Sequence, residues 1–285
     1  MLHRLLPALA GLVLAFCCAA AAAQEAVRFA SLDRPVILDG YLYRQSDMAK
    51  RPALVLMHGC GGLVSERTGR INSRETDWAG MLNRLGYIVL LVDSFRPRNH
   101  GESCSQQGYD ASIYAKRTRD AYGALLYLQA LPFVRADRVG IIGWSQGGGT
   151  VLYAIGPSHD GRPAQLPQDD FRAAVAFYPA RCDEQRRPGW TTATPLLVLN
   201  GAGDVWTPAA PCQALIDAAA ARGAPAQIVV YPGAYHDFDW PGMAVHESPA
   251  YRTPQGVVPI QGIDPAARQD ALARVPAFLA RYLGQ

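Results

Sequence analysis

Blocks of like charge, metal-ligand spacings, repeats and long apolar runs are all scarce in this 285-residue sequence. Each shortage excludes a class of protein. Lysine and arginine number 27 against 24 acidic residues, a net charge of +3, and Arg186–Arg187 is only a minor cluster. Without the dense basic stripe that a phosphate backbone requires, no nucleic-acid partner is expected. The cysteines form no C-x-x-C pair and accompany no short His-x-His run, so no metal site is expected, and no motif calls for a cofactor. No internal repeat or low-complexity linker appears beyond the first residues, which favours one domain over an array. Past residue 23, no stretch is long and apolar enough to cross a bilayer.

The first 23 residues stand apart. His3 and Arg4 make a short positive start, Leu5 to Phe16 are apolar, and Ala19 to Ala23 supply small residues before Gln24. This reads as a secretory signal peptide cut after Ala23. The alternative is an uncleaved anchor, since the run from Leu5 to Ala23 approaches bilayer length; Pro7 and the alanine tail favour cleavage. Bulky Phe16 before Cys17 leaves no lipobox. The mature chain, 24–285, is therefore expected in the periplasm or outside the cell, without stable membrane association. Loss of Arg4 leaves 26 basic residues against the 24 acidic ones on 262 residues, a net charge of +2. Of six cysteines, Cys17 and Cys18 depart with the leader, and Cys60, Cys104, Cys182 and Cys212 remain. An even number in an exported chain suggests two disulfides, with free buried thiols as the alternative.

Alternating apolar positions in 26–32 and 36–43 predict an opening antiparallel pair of strands. The pattern then changes to short, continuous apolar runs, as expected of strands buried on both faces: 53–57, 87–92, 138–142, 173–178, 195–199 and 227–231. Helical segments at 74–85, 111–131, 146–155, 211–222 and 265–283 are interspersed with them, Gly86 and Pro132 acting as stops. This alternation predicts an α/β fold: a mostly parallel central sheet with helices on both faces. In such sheets the chemistry gathers in loops at the carboxyl ends of the strands.

Gly143-Trp144-Ser145-Gln146-Gly147 stands between a buried strand and a helix. In that context G-x-S-x-G describes a sharp turn that raises a serine hydroxyl above the sheet edge. Its glycines are expected where side chains would collide with the neighbouring strand and helix. A serine hydroxyl needs a base. His236 follows the last strand, where a loop can reach back over Ser145. The base needs an acceptor to fix its tautomer, and Asp204 follows the strand at 195–199. Asp183 is the rival for that role, while Asp237 and Asp239 should point away from the histidine. For the oxyanion, the N–H of Gln146 serves by position, and the glycines of His58-Gly59-Cys60-Gly61-Gly62 allow the N–H of Cys60 to join it.

The His58–Gly62 start, the Ser145 elbow, the Gly201–Asp204 turn and the Tyr231–His236 segment together resemble the dienelactone hydrolase family of α/β-hydrolases, over essentially all of residues 26–283. The resemblance implies a single α/β-hydrolase domain over 24–285, a Ser-His-Asp triad and carboxylic ester hydrolysis. Dienelactone hydrolases proper carry a cysteine where Ser145 stands and a glutamate near His58, so hydrolysis of a dienelactone is not implied. The elbow is also similar, more locally, to that of cutinase-type polyester hydrolases. In this fold the strands at 53–57 and 87–92 are neighbours, as are those at 173–178 and 195–199, which predicts the pairs Cys60–Cys104 and Cys182–Cys212.

Three long connections, 93–108, 178–194 and 238–263, should form the rim of a pocket. Trp144, Trp206, Phe238 and Trp240 neighbour the candidate residues and could line it, with ordinary packing as the alternative. Arg96 and Arg98 could meet a substrate carboxylate, or simply face solvent. The leading expectation is a serine esterase acting on small-molecule esters or lactones. A polyester hydrolase or peptidase on the same triad is the alternative, and a non-catalytic binding protein a third. Nothing in the sequence sets the oligomeric state.

Overall fold

Ala53, Val55 and Met57 are buried against one set of helices and Leu54 and Leu56 against another. Side chains alternate along a strand, so a run apolar at every position demands cover on both faces. The computed structural model describes residues 23–105, 112–157, 161–185 and 189–284. The proposed leader lies outside the described residues except for Ala23.

Eight strands form one sheet: β1 (Ala23–Ala30), β2 (Ile37–Arg44), β3 (Arg51–Met57), β4 (Ile88–Asp93), β5 (Val134–Trp144), β6 (Ala173–Phe177), β7 (Leu196–Gly201) and β8 (Ala226–Tyr231). Their order is β1-β2-β4-β3-β5-β6-β7-β8. β2 is antiparallel to both β1 and β4, and every pairing from β4 to β8 is parallel. This is the expected α/β architecture, including the opening antiparallel pair. A second, two-stranded ribbon joins β9 (His246–Glu247) to β10 (Ile260–Gln261).

The helices are α1 (Ser73–Arg84), α2 (Ser112–Gln129), α3 (Gln146–Ile155), α4 (Cys182–Gln185), α5 (Ala209–Ala221) and α6 (Pro265–Leu283). One face of the sheet is covered by α2, α3 and α5 through residues such as Leu125, Val151, Leu152 and Ile216. The other is covered by α1 and α6 through Trp78, Leu82, Val275 and Leu279. Local chemistry sets the start of α6. Asp264 accepts from the N–H groups of Ala266 and Ala267 at 3.0 and 2.9 Å, and Pro265 occupies the first helical turn, where no N–H is needed. Such a cap contributes about 1 kcal/mol.

Both expected disulfides are present, Cys60–Cys104 and Cys182–Cys212. Among the described residues no helix is long and apolar enough to cross a membrane.

Candidate active site

β5 ends at Trp144 and α3 begins at Gln146, leaving Ser145 alone to make the turn. It does so at φ 53° and ψ −114°, a left-handed conformation that costs a non-glycine residue of order 1–3 kcal/mol. Its neighbours explain why the turn cannot relax. A Cβ on Gly143 would lie 2.2 Å from the Gly147 carbonyl oxygen, and one on Gly147 would lie 2.2 Å from the Met57 carbonyl oxygen. The first contact is with the following helix and the second with the end of β3, the two collisions expected. The Ser145 N–H donates to Phe177 O at 3.0 Å, tying the elbow to the end of β6.

His236 lies five residues past β8, and Asp204 three past β7. Both are buried, and His236 Nδ1 is 2.7 Å from Asp204 Oδ2. The other carboxylate oxygen accepts from the N–H groups of Trp206 and Thr207, each at 2.9 Å. Thr207 Oγ1 is 2.8 Å from Asp204 Oδ2 and 3.1 Å from His236 Nδ1. The imidazole is flanked by aromatic rings, Tyr178 at 4.5 Å and Trp206 at 4.8 Å between centroids. Burial pushes the pKa of His236 down, but the charge of Asp204 and its hydrogen bond outweigh burial, and the net direction is up. Asp183 is exposed on α4, so Asp204 is the carboxylate that meets the histidine.

Asp237 and Asp239 point elsewhere, as expected. Asp237 accepts from Arg74 Nη1 at 2.6 Å. Asp239 is fully buried and accepts from the indoles of Trp78 and Trp144, each at 2.8 Å, and from the Tyr178 hydroxyl at 2.6 Å. Arg74 also reaches Glu75 at 2.5 Å and Tyr178 Oη at 3.1 Å. This buried polar cluster anchors the segment after His236 to α1 and β6, and it also holds the ring of Tyr178.

The loop after β3 runs beside the elbow: a Cβ on Gly59 would stand 3.5 Å from Ser145 Cβ. His58 is buried, with Nε2 accepting from the Ser94 N–H at 3.3 Å, so Nδ1 carries the proton and donates to Gly59 O at 2.7 Å. Burial, helped by the charge of Arg117, holds the His58 pKa well below its usual value, which keeps this ring neutral. Cys60 O accepts from the Ser103 N–H at 2.8 Å. The Gln146 N–H, at the first position of α3, has no partner four residues back in its helix.

Ser145, Gln146 and Cys60 border a cleft of about 550 Å³. All three expected rim segments contribute, through residues such as Ser103, Arg181 and Tyr251. Both disulfides and Pro179, Pro208, Pro211 and Pro254 also face the cleft. Of the candidate wall residues, Trp206 borders it and stacks on Tyr251 at 5.4 Å. Trp144 does not. It shares the sheet face of Ile142, two residues before it, and is fully buried among Trp78 and Phe177 with its N–H on Asp239. Trp240 is also displaced from the cleft lining. It covers the Arg74 guanidinium at 4.5 Å and donates to Ser73 Oγ at 2.8 Å. Phe238 is likewise in the core. Arg98 faces neither substrate nor open solvent, being held by Asp33 and Asp120.

Thr207, Tyr178 and Arg74 escape a sequence reading. Thr207 alone had a signal, because Asp204-x-x-Thr207 ahead of a helix is a pattern in which side-chain oxygens take up free N–H groups. Among the described residues no group of three or more His, Cys, Asp or Glu side chains could hold a metal ion.

Known proteins resemble this chain along its length. A Thermogutta terrifontis esterase, esterase 2 phosphorylated by paraoxon, superposes with a TM-score of 0.65 at 19% identity, covering 90% of this chain and 94% of that one. A dienelactone hydrolase-like promiscuous phosphotriesterase from metagenomic libraries, P91, gives a TM-score of 0.61 at 22% identity, over 92% of this chain and all of the other. A Bradyrhizobium protein described as a probable 2-oxo-3-(5-oxofuran-2-ylidene)propanoate lactonase is 28% identical over 142 residues. That match takes in 48% of this chain and only half of the relative's length. The model of the dienelactone hydrolase family matches residues 38–283, and the chain belongs to that family, with the α/β-hydrolase fold.

Proposed function

We propose that the protein is a serine hydrolase that cleaves carboxylic esters or lactones of small substrates through an acyl-enzyme. The observation that carries this reading is the 2.7 Å contact between Asp204 and His236, whose ring lies 4.8 Å from Trp206, a residue that borders the same cleft as the strained Ser145 turn. His236 takes the Ser145 proton on Nε2 as Oγ attacks the carbonyl, while Asp204 accepts from Nδ1 and stabilises the imidazolium. The N–H groups of Cys60 and Gln146 receive the oxyanion. Collapse expels the alcohol, which takes the proton back from His236, and water then releases the acid by the same steps in reverse order of roles.

The family match and the esterase and lactonase relatives support ester hydrolysis. The two disulfides, which form in oxidising compartments, support export. The decisive experiment combines hydrolysis of p-nitrophenyl esters with mass-spectrometric mapping of a fluorophosphonate label. Label on Ser145, and loss of about 10⁴-fold in turnover in a folded Ser145→Ala variant, is the expected result. A folded Ser145→Ala protein that kept a tenth of the activity would overturn the triad. A protein neither labelled nor active on an ester panel would be a binding protein.

A further inference from the structure

Arg117, in the middle of α2, is fully buried, yet it forms no ion pair among the described residues. Other arginines here do: buried Arg74 meets Glu75 and Asp237, and partly buried Arg98 meets Asp33 and Asp120. Asp120, three residues beyond Arg117, is already occupied by Ser31 and by both terminal nitrogens of Arg98. Arg117 instead aims at two neutral oxygens. Nη1 donates to Gln146 Oε1 at 2.8 Å, and Nη2 donates to His58 O at 2.5 Å. Its Nε has no partner among the described residues, and the ring of Phe95 lies 5.3 Å from Cζ. Burial lowers the guanidinium pKa to about 10, which leaves it charged at neutral pH.

A buried cation whose terminal nitrogens both go to neutral acceptors is costly, so its placement calls for an explanation. The two acceptors belong to the two segments that carry the candidate oxyanion donors. The hydrogen bonds also close a circuit. Gln146 Nε2 donates to Ser103 Oγ at 3.2 Å, and the Ser103 N–H donates to Cys60 O at 2.8 Å. Arg117 thus joins the loop after β3, the first turn of α3 and the loop bearing Cys104.

The geometry points to Arg117 as a positioning residue of the oxyanion hole: it fixes the Cys60 and Gln146 N–H groups relative to each other, and its positive charge favours the negative charge that develops between them. This rests on the hydrolase reading above. Arg117 touches no reacting atom and acts through His58 and Gln146. Its effect therefore belongs to the tetrahedral state and not to the bound ester.

The test compares wild type with Arg117→Lys and Arg117→Met, using p-nitrophenyl butyrate turnover, thermal unfolding, and inhibition by phenylboronic acid as a probe of the tetrahedral adduct. Removing a direct oxyanion donor costs about 10²–10³-fold in kcat, so an indirect brace should cost on the order of 10–100-fold. Folded Arg117→Met should lose that factor in kcat, bind the boronate more weakly by a similar factor, and keep KM within about threefold. Arg117→Lys should recover part of the loss, because one ammonium cannot span both acceptors as the planar fork does. If neither variant folds, Gln146→Leu opens the circuit while keeping the backbone N–H, and the same kcat and boronate pattern is expected on a smaller scale. Unchanged kcat and boronate affinity in any of these folded variants, or a loss confined to KM, overturns the role of Arg117. A wild-type protein that neither hydrolyses esters nor labels at Ser145 overturns the hydrolase reading, and this role with it.

Discussion

Gly147 passes so close to Met57 that a single methyl group on it would sit 2.2 Å from the Met57 carbonyl oxygen. The obstacle is backbone at the carboxyl end of a central strand, so it cannot swing aside as a side chain could. Gly147→Ala should therefore destabilise the protein by about 3 kcal/mol or more, beyond the usual range for overpacking. For a chain of this size that corresponds to a fall in melting temperature of roughly 6–12 °C. Differential scanning calorimetry checks it, and a shift under about 2 °C would contradict the tight elbow.

The acid limb of the activity profile should report His236. Its pKa is raised, and only the neutral ring can accept the Ser145 proton. The value of kcat/KM should thus rise with pH and reach half its maximum above the ordinary histidine value of about 6.5. Asp204→Asn removes the main causes that raise the pKa while burial remains, so the limb of the residual activity should move toward lower pH. A pH series with an uncharged ester would show either shift.

The Thr207 hydroxyl lies within hydrogen-bond distance of Asp204 Oδ2, the Tyr178 carbonyl oxygen and His236 Nδ1. Two backbone N–H groups still hold the carboxylate when the hydroxyl is gone. Thr207→Val should therefore reduce kcat by only about 3–10-fold, the effect of one modest hydrogen bond. Steady-state kinetics on the folded variant measures it.

The disulfides span sequence separations of 44 and 30 residues. Loops of that size correspond to about 3–4 kcal/mol of stabilisation each. Both bonds also border the cleft. Reduction should lower the denaturant midpoint, and replacing Cys60 and Cys104 together by serine should lower ester turnover as well, since Cys60 is a candidate oxyanion donor. Urea titrations with and without reductant, paired with rate measurements, separate the two effects.

Substrate length should be limited by the fixed rim. The segment after His236 is tied down by backbone hydrogen bonds, from Gly262 to His236 O, Ile263 to Met243 O and Asp264 to Phe238 O, and it carries Tyr251 to the cleft. Acetyl and butyryl p-nitrophenyl esters should be good substrates, and efficiency should fall beyond about eight carbons, because the gain of about 0.8 kcal/mol per methylene stops where the cleft ends. Palmitoyl esters cleaved faster than butyryl esters, with a jump at the lipid interface, would contradict this.

The elements that chemistry marks strongly were legible in the sequence. α3 and α6 run from Gln146 to Ile155 and from Pro265 to Leu283, as read, because an elbow and an Asp-Pro cap define their starts. β5 begins at Val134, before the expected strand at 138–142, because Arg135, Ala136 and Asp137 look like a loop until β3 is seen alongside. Trp144 and Trp240 were misplaced because adjacency in sequence to Ser145 or His236 says nothing about direction. Strand parity turns Trp144 into the core, and Arg74, far away in the sequence, draws Trp240 aside. Buried polar clusters of this kind have no period and no spacing, so only the folded chain discloses them.

The strand order also bears on how the chain is made. β3 is central in the sheet, between β4 and β5, yet β5 follows it only after α1, β4 and α2. Until residues 134–144 have emerged and docked, one side of β3 exposes unpaired N–H and C=O groups next to Leu54, Val55 and Leu56. A half-synthesised chain therefore displays a sticky template for other chains, and its central pairing must close over a long stretch of sequence, which is slow. Holding the nascent polypeptide unfolded until it is complete would spare it that exposure.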